Sequence, residues 1–178
     1  MQTEYETRVL NIDVENIKKT LEKLGAEFIG RFEQKRHVFH TANPTRGKWV
    51  RLRTNGKTTT LCYKFFESQT CGGVKEIEFE VPDFDLAYEF LSTIELPYVF
   101  YQENIRTQYR LDGVEIDIDE WPLVPAWLEV EGKNEKQVYD TLAKLGFSKG
   151  DTTCKTAKMI YRDEYGIEMD DIKELKFI

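Results

Sequence analysis

The sequence predicts an α+β fold of eight mostly antiparallel strands with at least three flanking helices. Three observations carry that reading. Charged and apolar residues alternate with a period of two in nearly every strand-like segment, which sends alternate side chains to opposite faces of a sheet. Asn55-Gly56 and Asp112-Gly113 stand between such segments as hairpin signals. Other segments place apolar residues at helical spacing and end at Gly or Pro.

The first strand is predicted at about 3 to 11. Asp13 is a natural N-cap for a helix in which Ile17, Leu21 and Leu24 fall at i, i+4 and i+7, closed by Gly25. Phe28 to Phe32 and Gln34 to Thr41 read as one bent or bulged strand, followed by a turn cluster from Asn43 to Gly47. Strands follow at about 48 to 54 and 58 to 66, and Gly72-Gly73 opens another at about 74 to 81. A second helix, about 83 to 93, presents Leu86, Phe90 and Leu91 as its apolar face, and Pro97 marks its end. A long strand at about 98 to 111 turns at Asp112-Gly113 into one at about 114 to 119. After Trp121 to Pro125 come a strand at about 126 to 132 and a helix at about 134 to 145, ended by Gly146. The last thirty residues read as helical, with breaks near Gly150 and Gly166.

With 178 residues and neither linker nor internal repeat, the chain reads as one domain, long enough to bury roughly 70% of the surface of its unfolded form. A net charge of -7 argues against nucleic-acid or anionic-membrane partners. The absence of a signal-like start or a long apolar run makes the cytoplasm the expected compartment. Cys62, Cys71 and Cys154 show no CxxC spacing and are expected to be reduced thiols. His37 and His40, three apart on a strand, face opposite sides and give little support for histidine chemistry.

The charges are the informative part. Glu4, Glu6 and Arg8 share one strand face, and adjacent carboxylates repel unless a cation or proton lies between them. That points to a divalent metal beside a cationic group; a strand with one solvated face is the competing reading. The pattern recurs in Arg51 and Arg53, in Lys64, in Glu76 and Glu78, in Arg106 and Arg110, in Glu115, Asp117 and Asp119, and in Glu129, Glu131 and Lys133. Eight such strands either close into a barrel around a charged interior with helices outside, or pack as a sandwich with the charges in water.

Glu4-x-Glu6-x-Arg8, Arg51-Leu52-Arg53, Leu61-Cys62-Tyr63-Lys64, Glu76-Ile77-Glu78 and Asp119-Glu120-Trp121-Pro122, leading to Leu128-Glu129-Val130-Glu131-Gly132, together resemble the CYTH domain over about residues 2 to 165. This superfamily is also called the triphosphate tunnel metalloenzymes, and it includes class IV adenylyl cyclases and thiamine-triphosphatase-like enzymes. Two positions depart from the family pattern. Arg8 stands where the signature has Lys, and Arg36 stands in a second strand that commonly has an acid.

The resemblance implies an eight-stranded antiparallel tunnel in which bases grip a triphosphate and acids hold Mg2+ or Mn2+. Arg8, Arg51, Arg53, Lys64, Arg106, Arg110 and Lys133 would then bind phosphate, and Glu4, Glu6, Glu129 and Glu131 the metal. Glu78, Asp117 or Asp119 would accept a proton from the attacking water. The C-terminal helical segment, about 152 to 178, would pack on or cover the tunnel, with Lys155 and Lys158 near its mouth. The implied activity is a metal-dependent phosphoanhydride hydrolase acting on an inorganic or organic triphosphate. The alternatives are an adenylyl cyclase that forms cyclic AMP and pyrophosphate, and a non-catalytic polyphosphate or nucleotide binder. Tyr101, Phe100 and Trp121 are the aromatics available to a nucleobase. A homodimer is compatible with all of these readings.

Overall fold

Eight strands close on themselves with their charged faces inward. The computed structural model describes residues 1–41 and 47–178, so the turn cluster expected from Asn43 lies outside the described residues except for Gly47. The strands are β1 (Gln2–Val9), β2 (Glu27–His40), β3 (Lys48–Thr54), β4 (Thr59–Phe66), β5 (Val74–Val81), β6 (Tyr98–Leu111), β7 (Val114–Glu120) and β8 (Trp127–Gly132). They neighbour one another in the order β2-β3-β4-β5-β1-β8-β7-β6, and antiparallel pairing of β2 with β6 completes the ring. Barrel rather than sandwich is the outcome. The apolar faces lie outside, where the helices α1 (Val14–Lys23), α2 (Phe84–Thr93), α3 (Glu135–Lys144) and α4 (Ala157–Tyr165) pack.

Local chemistry sets most boundaries. Asp13, Asp83, Asn134 and Thr156 each cap a helix by accepting from a backbone N–H in its first turn, replacing a bond the helix cannot make for itself. β1 stops two residues earlier than expected because Asn11 takes a left-handed conformation, φ 54°, and turns the chain toward α1. Asp112 and Gly113 form a two-residue hairpin with positive φ at both positions, as the sequence indicated. Asn55-Gly56 behaves differently. Asn55 Oδ1 accepts from the N–H groups of Lys57 and Thr58, widening the connection to the four residues between the paired Thr54 and Thr59. β2 is continuous, with a register shift against β6 between Phe28 and Gly30.

The principal core lies between the outer face of β1, β7 and β8 and the helices α1 and α3. Ile17, Leu21, Val138 and Leu142 pack there on Val9, Ile116, Ile118, Leu128 and Val130. α2 covers Phe39 and Leu52 with Phe84, Ala87, Tyr88 and Leu91. Its expected face is corrected by this packing. The i, i+3, i+4, i+7 stripe begins at Phe84, so Leu86 and Phe90 point away and are 62% and 61% exposed.

A third cluster closes one end of the barrel: Trp121 and Trp127 stack at 5.5 Å and pack with Ile160, Tyr161, Met169 and Leu175. The C-terminal stretch is less helical than its composition suggested. It contains α4, single turns at Lys149–Asp151 and Met169–Asp171, and a short strand β9 (Glu174–Leu175), which pairs in parallel with Tyr101 and Gln102 of β6 where β7 no longer reaches. Among the described residues no helix is long and apolar enough to cross a membrane.

Candidate active site

The barrel encloses a cavity of about 840 Å³ that runs from β1 and β5 to the α4 end. Its wall follows the period-two pattern. Glu4, Glu6 and Arg8 of β1, Arg51 and Arg53 of β3, Lys64 of β4, Glu76 and Glu78 of β5, Arg106 of β6, Asp119 of β7, and Glu129 and Glu131 of β8 all line it. Strands of different sequence separation thus converge on one space. Thr156, Lys158, Met159 and Arg162 of the α4 region border the covered end.

Most of these charges are paired across strands. Arg106 spans three acids, with Nη1 2.6 Å from Asp117 Oδ2, and Nη2 2.6 Å from Asp119 Oδ2 and 2.9 Å from Glu129 Oε1. Arg8 Nη2 lies 2.6 Å from the other oxygen of Glu129 and 2.9 Å from Glu6. Lys64 Nζ lies 2.6 Å from Glu4 and 3.3 Å from Glu76, and Arg51 and Arg53 share Glu78 at 3.0 and 3.4 Å. Burial opposes the charge of Glu129, but Arg8 and Arg106 outweigh it and hold this carboxyl well below its usual range. Glu78 is likewise lowered, because Arg51 and Arg53 overcome its desolvation. Asp117 moves the other way. It is buried, shares Arg106 with Asp119 and Glu129, and is raised.

One acidic group has too few cations. Carboxylate oxygens of Glu4, Glu6 and Glu131 lie within 4.8 Å of one another. Glu4 has Lys64 and Glu6 has Arg8, while no cation contacts Glu131 among the described residues. Burial, then Glu6, Glu4 and Glu129, push Glu131 up to about 8; burial raises Glu4 to about 7, against the pull of Lys64. Three hard oxygen donors short of positive charge suit a divalent ion such as Mg2+ or Mn2+. Cys62 with Glu76 and Glu78 forms a second close group, but its acids already have Lys64, Arg51 and Arg53, and its thiol donates to Glu76 at 3.2 Å.

The raised carboxyls make a testable pH dependence. Below the ordinary glutamate value of 4.5, Glu131 is protonated in both folded and unfolded chains; between 4.5 and about 8 only the folded chain keeps the proton. The unfolded state therefore binds fewer protons in that window, and the Glu131 contribution to stability falls as pH rises. Thermal melts in chelator should show Glu131→Gln overtaking the wild type progressively from pH 5 to pH 9. Melting curves that stay a constant distance apart would show Glu131 to be an ordinary solvated acid.

Not every predicted site residue reaches the cavity. Arg110 lies outside its lining, half exposed and 3.6 Å from Glu115, and Lys133 is solvent-facing at the start of α3. Asp117 sits behind Arg106 rather than on the surface of the cavity. Lys155 pairs with Asp163 and Glu164, whereas Lys158 borders the cavity and pairs with Asp170. His37 and His40 do face opposite ways: His37 is among Phe84, Tyr88, Tyr98 and Tyr101 outside the barrel, and His40 lines the cavity.

Sequence reasoning passed over Glu76 as a partner of Lys64, and Trp127 as an inward residue. It noted Arg36 only as a departure. The signal was the same alternation, carried one step further: Trp127 shares parity with Glu129 and Glu131, and Arg36 with Gln34 and His40.

Comparison with known proteins agrees with this architecture. No curated protein matches the chain. Among solved structures, it is similar to the PH1012 protein of Pyrococcus horikoshii OT3, with a TM-score of 0.73 and 25% identity over 86% of this chain and 96% of that one. A conserved hypothetical protein from Pyrococcus furiosus gives a TM-score of 0.76 at 21% identity, over 87% of this chain and 98% of that one. HpAC1 from Hippeastrum, for which a dominant triphosphatase activity is reported, gives 0.65 at 17% identity, over 92% and 96%. The CYTH domain profile matches residues 2–157, and with the closed, charge-lined barrel already in view, the chain is a member of the CYTH domain family.

Proposed function

We propose that this protein is a metal-dependent phosphoanhydride hydrolase that cleaves a triphosphate held along the tunnel. The observation that carries the reading is the composition of the cavity wall. Arg36, Arg51, Arg53 and Arg106 line the same cavity as the group of Glu4, Glu6 and Glu131, whose cationic contacts among the described residues are Lys64 on Glu4 and Arg8 on Glu6. A polyanion and a divalent cation, bound together, complement both sets of charges; either alone leaves like charges together, at a cost of several kcal/mol per ion.

Glu4, Glu6 and Glu131 would hold Mg2+ or Mn2+, with Glu129 engaged instead by Arg8 and Arg106. Bound there, the ion supplies charge neutralisation on phosphate oxygens and activation of water. The chain's own part is grip and alignment, because phosphoryl transfer asks mostly for positioning and electrostatic stabilisation. Arg8 and Arg51 line the cavity, and each keeps a buried Nε without an acceptor, so their ion pairs do not use up their donors. Arg53, Lys64 and Arg106 complete the cationic wall. Glu78, Asp117 and Asp119 serve chiefly to aim those bases: Glu78 is too acidic to take up a proton readily, and Asp117 is shielded by Arg106.

Of the aromatics available to a nucleobase, Phe100 lines the cavity, but Trp121 has Arg36 over its ring and Trp127 stacked at 5.5 Å, and Tyr101 lies outside with His37. Two of the three are thus engaged elsewhere, which favours hydrolysis over cyclisation of ATP. Mass spectrometry of the products from tripolyphosphate, thiamine triphosphate and ATP, each with Mg2+ or Mn2+, tests this: orthophosphate is expected. Cyclic AMP with pyrophosphate would replace the hydrolase by a cyclase, and binding without turnover would sink both.

A further inference from the structure

One buried cation in the tunnel makes no ion pair among the described residues. Arg36 projects inward from β2 and is 7% exposed. Its Nη2 donates to Gln34 Oε1 at 2.9 Å and to Asn104 Oδ1, both neutral amides, and its guanidinium carbon lies 4.7 Å from the Trp121 ring centroid. Its Nε is buried without an acceptor. Arg8, Arg51, Arg53, Lys64 and Arg106 each touch a carboxylate; among the described residues Arg36 touches none. Burial, and then the neighbouring Arg51, Arg53 and Arg106, weaken its hold on its proton, and Asp119, which does not touch it, pulls the other way.

Such an arrangement is a poor way to stabilise a barrel. A structural arginine is normally paired, because a desolvated charge without a counter-ion opposes folding. Here the amides and the indole hold the guanidinium in place without neutralising it, and its Nε is left without an acceptor. An arriving anion would supply the missing charge.

We propose that Arg36 is a specificity-determining residue that binds an anionic group at the substrate end nearest the α4 cap. The tunnel then takes an inorganic polyphosphate, such as tripolyphosphate, in preference to a triphosphate ester whose organic end is cationic or neutral. The proposal rests on reading the tunnel as a triphosphate site. Discrimination follows from what each ligand leaves behind: phosphate oxygen pairs Arg36, whereas a thiazolium or other non-anionic group leaves it enclosed and unpaired.

The test compares kcat/KM for tripolyphosphate and thiamine triphosphate, with Mg2+, in wild type, Arg36→Gln and Arg36→Lys, together with the melting temperature of each protein without ligand. Wild type should prefer tripolyphosphate. Arg36→Gln should lower kcat/KM for tripolyphosphate by about 10- to 100-fold, the size of one charge-assisted hydrogen bond, with a much smaller effect on thiamine triphosphate. Arg36→Lys should recover part of the loss. Without ligand, Arg36→Gln should melt higher than wild type, because an unpaired buried charge has been removed. An unchanged ratio between the two substrates, or a lower melting temperature with equal losses on both, would make Arg36 a packing residue and end the proposal. If wild type turns over ATP but neither of these, the polyphosphate preference fails alone; if it turns over none of the three, the triphosphate reading itself fails, and this one with it.

Discussion

Glu6→Gln is expected to reduce metal-dependent turnover at least about 100-fold while leaving the circular dichroism spectrum unchanged. Glu6 lies on the inner face of β1, its carboxylate close to those of Glu4 and Glu131, with Arg8 2.9 Å from one oxygen. The amide keeps the shape and one acceptor, but loses the charge that a divalent ion requires of a site with few donors. Even a group acting from behind a metal ligand is commonly worth 10- to 100-fold in affinity or activity, so a direct ligand should exceed that range. Partial recovery at high Mg2+ or Mn2+ is the accompanying signature, since the defect is one of metal affinity. Normal activity at low metal would take Glu6 out of the site and leave its role as a partner of Arg8.

Arg106→Ala should produce the largest loss of stability, about 3–5 kcal/mol by urea denaturation at neutral pH. Its side chain is only 15% exposed and neutralises Asp117, Asp119 and Glu129 together. Without it, three buried acids face one another with Arg8, among the described residues, as the one cation in contact with any of them. The pH profile identifies the cause. Arg106 lowers the pKa of Asp117 and of Glu129, so its removal raises both in the folded state; the loss is full where they must ionise and shrinks as pH falls toward the unfolded carboxylate values of about 4. A deficit of the same size at pH 4 and pH 8 would point to the cavity left by the side chain rather than to charge.

Much of this was legible in the sequence because strand alternation is a local property. Glu4, Glu6 and Arg8 share a face whatever surrounds them, and so do Arg51 with Arg53, and Glu129 with Glu131. The Asp13 cap and the Asp112-Gly113 turn are local too, and lie where the sequence placed them. The resemblance to the CYTH domain drew on the order of those same segments. Where local pattern and packing competed, packing decided. Leu86 and Phe90 satisfy a helical apolar stripe, yet α2 meets the barrel through Phe84, Ala87, Tyr88 and Leu91. Arg110 shares parity with Arg106, but it sits at the end of β6, beyond the cavity lining.

The sequence by itself determined which side chains point inward and which outward, since that follows from the period of a strand. Only the tertiary structure decided which inward charges meet. The pairings of β6, β7, β8 and β1, and the closure of β2 on β6, set those meetings; among the described residues they give Arg106 three acids, Glu131 no cation and Arg36 no acid in contact. Glu4, Glu6 and Arg8 illustrate the difference: one stretch of β1 supplies all three, but the charges they meet, Lys64, Glu129 and Glu131, come from two other strands. Electrostatic energy depends on distances across the barrel, and distances between strands are not written in the alternation along any one of them.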